Sequence, residues 1–162
     1  CPGRCSQPGA IGTPMHRRQT VPCQWFIVAD EQAIAAARHL RRGTAVLVVA
    51  SLSPKQMRQL RRAAALRSLP MVSEGRDGAA RVHNVRELRA ALLARTPMLL
   101  LSPLHPTRSH PGWKPIPPMR AATLARLADR RLIALGGMDA RKFARIRRLG
   151  FQGWAGITAF RT

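Results

Sequence analysis

Two apolar segments near the end of the sequence finish in residues that could bind an anion. Residues 132–138, LIALGGM, carry Gly136 and Gly137 near their end, and glycine lets a backbone come close to a ligand. In residues 153–160, GWAGITAF, the backbone N–H of Ile157 and the hydroxyl of Thr158 likewise lie in the last part of the segment. A helix expected after the glycine pair would add free N–H groups. These residues indicate a phosphate site, although a glycine pair alone is more typical of a tight turn.

A third segment, residues 98–118, begins as an apolar strand and continues as a long polar loop. The loop is rich in proline, which limits the entropy lost when a loop becomes ordered. It offers hydroxyls at Thr107 and Ser109 and imidazoles at His105 and His110. Histidine titrates near neutral pH and suits acid–base chemistry, although a solvent-facing loop histidine is more often inert.

The segments that position these residues alternate between strands and helices. Seven short apolar runs predict strands at residues 25–30, 44–50, 69–75, 79–83, 97–103, 132–138 and 153–160. Helical periodicity predicts helices at residues 31–42, 55–68, 85–96, 118–131 and 139–150. This order indicates right-handed crossovers and a parallel sheet. It leaves open a doubly wound sheet or a (β/α) barrel, and in both the chemistry collects where strands end.

Composition fits one domain with an unusual charge. The 162 residues carry 28 Lys and Arg against 7 Asp and Glu, a formal net charge of +21. The arginines fall mainly on the exteriors of predicted helices, and no basic stripe interleaved with stacking aromatics accompanies them. Nucleic acid is therefore an unlikely partner. No apolar run is long enough to cross a membrane, so we expect a cytoplasmic protein.

The first residues differ in composition from the rest. Residues 1–22 have no periodicity and are expected to be disordered or extended, with Met15 a possible true start and residues 23–162 forming the domain. Cys1, Cys5 and Cys23 suit neither a disulfide framework nor a zinc site.

The second half of the sequence resembles the thiamine-phosphate synthase/TenI family. The resemblance rests on LLLSPLHPTRSHPG, LIALGGM and GWAGITAF, which follow one another in the family's order, and on VHNVRELRAA before them. It implies an α/β fold of the TIM (β/α)8 type, shortened here to about seven parallel strands. It also implies, in active members, the coupling of hydroxymethylpyrimidine diphosphate with thiazole phosphate to give thiamine phosphate and pyrophosphate.

The same resemblance assigns roles to individual residues. The family's phosphate-binding positions fall on Thr107, Ser109, Gly136, Gly137, Ile157 and Thr158. The candidate catalytic residues are His83, which matches a histidine at a strand end, and His110, which stands where synthases have lysine. Pro103, which ends a strand, and Trp113, which could cover a heteroaromatic ring, are candidates for the substrate pocket.

Several positions depart from the family pattern. The second strand, AVLVVAS, is apolar where synthases have Gln-x-Arg-x-Lys, and Arg81 replaces a serine. Glu74 is the candidate carboxylate for the Mg²⁺ that an active synthase requires. A strand-helix unit is missing between Glu74 and His83. We therefore expect a catalytically reduced member that binds thiazole phosphate or thiamine phosphate.

Two further expectations concern partners. An unclosed barrel would expose strand edges and favour a homodimer. The alternative function is that of a non-enzymatic, basic, nucleic-acid-associated protein, which would bind with steep salt dependence.

Overall fold

The computed structural model describes residues 22–75, 77–107, 111–129 and 131–160, and of Thr158 the backbone alone. Within these ranges seven parallel strands and five α-helices form a nearly closed barrel. The α/β class and the shortened TIM-like architecture predicted from the sequence are confirmed. The predictions for residues 1–21, Ser109 and His110 lie outside the described residues.

The strands and helices follow the predicted order with shorter bounds. The strands are β1 (Gln24–Val28), β2 (Thr44–Val48), β3 (Met71–Ser73), β4 (Ala79–Val82), β5 (Met98–Leu101), β6 (Leu132–Ala134) and β7 (Gly153–Gly156). The α-helices are α1 (Glu31–Ala37), α2 (Pro54–Arg67), α3 (Val85–Leu93), α4 (Pro118–Leu127) and α5 (Ala140–Ile146). Short 3-10 helices cover Arg147–Leu149 and Thr158–Phe160.

The sheet runs in the order β3-β2-β1-β7-β6-β5-β4, and a parallel bridge between Glu74 and Ala79 joins its two ends. The residue pairs can be followed from strand to strand around the sheet, starting at Glu74 and ending at β4. By this route the position of β4 level with Glu74 is 87, but the residue that pairs with Glu74 across the closing bridge is Ala79. The difference, 87 minus 79, is eight residues, which is also the register shift of eight-stranded TIM barrels. The ring has one strand fewer than such a barrel and the same shear.

The connection between β3 and β4 is short because it contains Gly78. A Cβ atom at Gly78 would run into the backbone carbonyl oxygen of Ser73. Beside it, the amide of Gly75 donates to the carbonyl of Ala79 at 2.9 Å. No helix separates these two strands in the part of the chain that the structure describes. The missing unit predicted between Glu74 and His83 is thus replaced by a tight backbone contact.

Apolar side chains fill the barrel and the layer between the barrel and its helices. The interior cluster includes Trp25, Ile27, Leu47, Leu100 and Ile133, which are at most 5% exposed. Residues of alternate parity on the same strands pack outward against the helices in two further clusters. The strands are therefore apolar on both faces, as expected for a parallel sheet covered by helices.

Side-chain caps determine where four of the helices begin. Ser53 and Gln56 form a capping box at α2, with Pro54 in its first turn. Asp30, Asn84 and Asp139 each accept a backbone N–H in the first turn of α1, α3 and α5.

The last strand is shorter than the sequence pattern suggested. We expected a strand over residues 153–160, but β7 ends at Gly156 and Thr158–Phe160 forms a 3-10 helix. The turn brings the Phe160 ring into a stacked contact with Trp154 at 5.0 Å and an edge contact with Phe26 at 5.7 Å. Phe160 thus covers the outer side of β1 and β7.

Closure of the ring changes the reason for expecting a dimer. The Glu74–Ala79 bridge joins the two strand edges whose exposure motivated the homodimer prediction. Dimerisation therefore stays a prediction without that argument. Among the described residues, no helix is long and apolar enough to span a bilayer.

Substituting Gly78 with alanine should destabilise the protein because the added Cβ collides with the Ser73 carbonyl. We expect a loss of about 2–3 kcal/mol in the free energy of unfolding, measured by urea denaturation. Gly112→Ala is the control, because a Cβ there meets nothing within 4 Å, and it should change stability by less than about 0.5 kcal/mol. Equal effects of the two substitutions would show that the seam at Gly78 is not tightly packed.

Candidate functional site

A cavity of about 700 Å³ opens at the end of the barrel where the strands finish. Its volume lies within the range of roughly 300–1,000 Å³ that is usual for small-molecule sites. Six of the residues singled out from the sequence line it: Pro103, Thr107, Trp113, Gly136, Gly137 and Ile157. The structure thus brings the loop after β5 and the ends of β6 and β7 together around one space.

The glycine pair fits closely against the loop after β5. Gly136 and Gly137 have φ values of 92° and 58°, a region that favours glycine. A Cβ at Gly136 would lie 2.8 Å from the Cα of Pro103, and one at Gly137 would collide with the carbonyl oxygen of Pro106. Both glycines are therefore required by the packing of two loops, in addition to lining the cavity.

Lys142 is a cation of the cavity wall that the sequence analysis missed. Its Nζ donates to the carbonyl oxygen of Gly137 at 2.5 Å and lies 3.5 Å from Oδ2 of Asp139. The backbone N–H of Lys142 also donates to Asp139, and this bond is the main reason why the pKa of Asp139 lies below its usual value. The spacing of three residues between the cap Asp139 and a lysine on α5 was the available signal.

Arg81 is a second cation of the wall. It is level with Leu100 of the barrel interior, so its side chain shares the inward parity and lines the cavity. Its Nε lies 2.8 Å from Oε1 of Glu74. The approach is not aligned as a hydrogen bond, because this Nε has no partner that satisfies hydrogen-bond geometry. The contact is therefore an ion pair.

The ion pair bears on Glu74 as a magnesium ligand. Mg²⁺ requires oxygen ligands in near-octahedral arrangement, usually with one or two carboxylates free to bind it. The Glu74 carboxylate faces a guanidinium instead, and the described residues contain no group of three His, Cys, Asp or Glu that could hold a metal ion. The described residues therefore do not fit Mg²⁺ at Glu74.

His83 lies at the end of β4 in a network built on Glu87. Oε2 of Glu87 accepts from the backbone N–H of His83 and contacts its Nδ1, both at 2.8 Å. Oε1 accepts from the side chain of Asn84 at 2.6 Å. Burial alone would raise the pKa of Glu87, but the bonds from the His83 ring and backbone and from Asn84 together lower it.

Trp113 connects this network to the cavity. Its ring lies edge-on to the His83 ring with 5.6 Å between centroids, and Trp113 itself lines the cavity. The side chain is 46% exposed, which distinguishes it from Trp25 and Trp154, each 3% exposed in the core. Trp113 stands in the wall where an aromatic ligand could contact it.

His105 lies beside the glycine pair. Its backbone N–H donates to the carbonyl of Gly136 at 3.1 Å. Burial, and next the charge of Lys142, lower the pKa of its imidazole. His105 is therefore mainly neutral at pH 7, and its backbone fastens the loop after β5 to the end of β6.

Comparison with solved structures shows which proteins share this fold. A thiamine phosphate pyrophosphorylase from Pyrococcus furiosus aligns with a TM-score of 0.68 at 14% identity, over 85% of this chain and 87% of that one. A thiamine phosphate pyrophosphorylase from Bacteroides thetaiotaomicron aligns with a TM-score of 0.54 at 12% identity, over 86% and 84% of the two chains. No protein-family model matches the sequence, and no curated protein matches it either.

The chain has the fold of the thiamine phosphate pyrophosphorylases. At these identities the similarity concerns the fold alone, and it agrees with the architecture that the motifs of the second half implied.

Replacing Glu87 with glutamine should lower stability at neutral pH, because a carboxylate with several donors becomes a neutral amide. The folded-state pKa of Glu87 lies below its ordinary value of 4.5, so its ionised form contributes stability above that pH. This contribution is lost as the pH falls through the lowered pKa. The difference between wild type and Glu87→Gln in urea denaturation should therefore be constant above about pH 5 and shrink below pH 4.5.

Glu31→Gln is the matched control, because Glu31 is exposed in the first turn of α1. We expect its effect to be smaller than that of Glu87→Gln at pH 7. A Glu87→Gln deficit that persists unchanged at pH 3 would contradict the role of the ionised carboxylate.

Proposed function

We propose that this protein is a thiamine-phosphate synthase/TenI-like binding protein whose cavity takes thiazole phosphate or thiamine phosphate. Thr107, Gly137 and Ile157 line one cavity at the carboxyl ends of the strands, and this observation carries the proposal. In barrels of this type the loops after the last strands are the usual place for a phosphate.

Thr107 and the backbone around Gly137 and Ile157 supply the neutral donors of the proposed site. A hydroxyl and main-chain N–H groups can bind phosphate oxygens without adding charge. The ligand's ring then extends toward Trp113, on which it can pack. Lys142, whose Nζ already lies beside the Gly137 carbonyl, supplies a positive charge next to the phosphate.

The charges of the wall favour a single phosphate over a diphosphate. Among the described residues of the wall, Arg81 and Lys142 are basic and Asp30 and Asp139 are acidic. Glu74 adds a third carboxylate next to Arg81. A diphosphate would bring more negative charge than these two cations can balance, and the described residues contain no group of three metal-binding side chains that would hold Mg²⁺ to compensate. This argues for a catalytically reduced protein that binds a phosphate monoester.

Isothermal titration calorimetry with thiazole phosphate tests the proposal. The wild-type protein should bind, and Thr107→Val should weaken binding roughly 10- to 100-fold, because the loss of a hydrogen bond to a charged group costs about 1.5–3 kcal/mol. Thr123→Val is the control, since its hydroxyl bonds to the Met119 carbonyl on α4 and not to the cavity. The absence of heat at millimolar ligand with folded wild-type protein would refute the proposed function.

The second candidate is a nucleic-acid-associated protein, and the surface charge favours it. The exposed residues of α2 include Arg58, Arg61 and Arg62. Three ion pairs join described residues, and one of them, Arg81 with Glu74, uses an arginine. The positive charge of the exterior therefore attracts polyanions. Such attraction is independent of sequence and falls steeply with salt.

Thermal shifts at physiological salt separate the two candidates. Thiazole phosphate at about 100 times its Kd should raise Tm by roughly 5–10 °C, whereas a short oligonucleotide should leave Tm unchanged. A shift with the oligonucleotide and none with thiazole phosphate would instead support the nucleic-acid function.

A further inference from the structure

A second cavity, of about 530 Å³, lies on the outer side of the ring of strands. Its lining residues come from β1, β2 and β7, from the segment that follows α1, and from the start of α5. Among the described residues, the 3-10 helix Thr158–Phe160 is the element that follows β7 and packs on this part of the sheet. The space above β1 and β7 is therefore filled in part.

One end of this outer cavity is polar. Gln24 begins β1 and pairs in register with Thr44 of β2 and with Trp154 of β7. Phe26 and Val46, two residues further along the same strands, pack in the outer layer, so this row also faces outward. Thr44 is 3% exposed, and its hydroxyl forms no hydrogen bond with another described residue. Buried hydroxyls usually have a partner, so this end of the cavity suits a polar ligand group.

A cation without an ion pair stands at the same end. His39 and Arg41 line the cavity from the segment between α1 and β2, and the amide of Thr44 donates to the carbonyl of Arg41 at 3.2 Å. The three ion pairs between described residues do not use Arg41. A guanidinium next to a hydroxyl is a favourable environment for a carboxylate.

The opposite end of the outer cavity is mainly apolar. It lies toward the mouth of the barrel, because Asp139 and Ala159 line both cavities. Ala140 and Phe160 continue its wall. The Asp139 carboxylate accepts from the amide of Lys142 and lies 3.5 Å from its Nζ, so its charge is compensated. The cavity thus changes from polar and cationic to apolar along its length.

The aromatic residues of the floor favour an alkyl chain over a ring. Trp154 is 3% exposed, and its ring is stacked on Phe160 with 15° between the two planes. A ligand therefore meets ring edges and alanine methyl groups, and an alkyl chain needs no free ring face. The five residues of β1 span about 16 Å, close to the length of an extended chain of about ten carbons with its carboxylate.

We infer that the outer cavity binds a medium-chain fatty acid, with the carboxylate at Arg41 and Thr44 and the alkyl chain directed along β1 toward Phe160. Binding is noncovalent, and the free monomeric acid is the ligand. The site lies outside the ring of strands, so it does not depend on the function proposed for the cavity at the mouth.

Titration calorimetry of the full chain with sodium decanoate, far below its micelle concentration, tests the inference. The wild-type protein should bind one decanoate. Octanoate, two methylenes shorter, should bind about 3- to 10-fold more weakly, because each buried methylene adds affinity. Decanol, which has no carboxylate, should bind about 10-fold more weakly than decanoate. Acetate, which has no chain, should give no heat.

Two substitutions test the polar end. Arg41→Gln should weaken decanoate binding at least about fivefold, whereas Arg58→Gln, which removes the same charge from the exposed face of α2, should change it less than about twofold. Thr44→Val should weaken decanoate binding about 3- to 10-fold. It should not lower the Tm of the free protein, because the hydroxyl has no partner among the described residues.

The indole N–H signals of the tryptophans locate the ligand. Trp154 lines the outer cavity, and Trp113 lines the cavity at the mouth. In ¹H–¹⁵N spectra assigned with Trp25→Phe and Trp113→Phe, decanoate should move the Trp154 signal and leave the Trp113 signal in place.

Three results would overturn the inference. The first is no binding of decanoate by folded wild-type protein at about 1 mM, a concentration that detects even weak complexes. The second is a shift of the Trp113 signal alone, because decanoate would then bind at the mouth. The third is an equal loss with Arg41→Gln and Arg58→Gln, which would indicate general attraction to the positive surface. A failure of thiazole phosphate to bind would refute the proposed function and leave this inference unchanged.

Discussion

The parallel bridge between Glu74 and Ala79 closes the seven-stranded sheet into a ring, and the positions of the cavity residues follow from that closure. All seven strands run parallel, so their carboxyl ends lie at one mouth of the ring. The tight connection at Gly78 makes the closure possible by placing β3 and β4 next to each other. The same seam has a chemical consequence, since it sets Glu74 of one strand end against Arg81 of the next strand. The Glu74 carboxylate, the candidate Mg²⁺ ligand, is therefore paired with a guanidinium.

Charge is distributed unevenly between the outside of the molecule and the cavity. The net charge of +21 arises mainly from arginines, whereas the part of the cavity wall that the structure describes combines two basic and two acidic side chains. Exterior charge acts at long range and is screened over about 8 Å at physiological salt. It raises the local concentration of any anion near the mouth without selecting among anions. Selection depends on the few groups of the wall, and these are nearly balanced in charge.

Sequence reasoning predicted the order of elements well because strands covered on both faces and amphipathic helices leave strong periodic signals. The caps Asp30, Ser53 and Asp139 are likewise local features, since capping needs a residue type at a fixed distance from a helix. It missed the inward-facing Arg81, which appeared as a departure from a family motif and became a cavity group only through strand parity. The 3-10 turn that ends in Phe160 was read as strand because its composition fits both conformations. That turn depends on a long-range contact with Trp154, which local pattern does not contain.

The glycine pair shows how a family-like motif can persist for more than one reason. The sequence offered a turn and a phosphate site as alternatives, and the structure adds a third constraint, the contact of Gly136 with Pro103 and of Gly137 with Pro106. Selection for this packing alone would retain both glycines in a protein that had lost its ligand. The weight of the phosphate proposal therefore falls on side chains and not on the glycine pair. Thr107 is the side chain that tests it, because a valine methyl occupies a space similar to that of its hydroxyl but cannot bond to a phosphate oxygen.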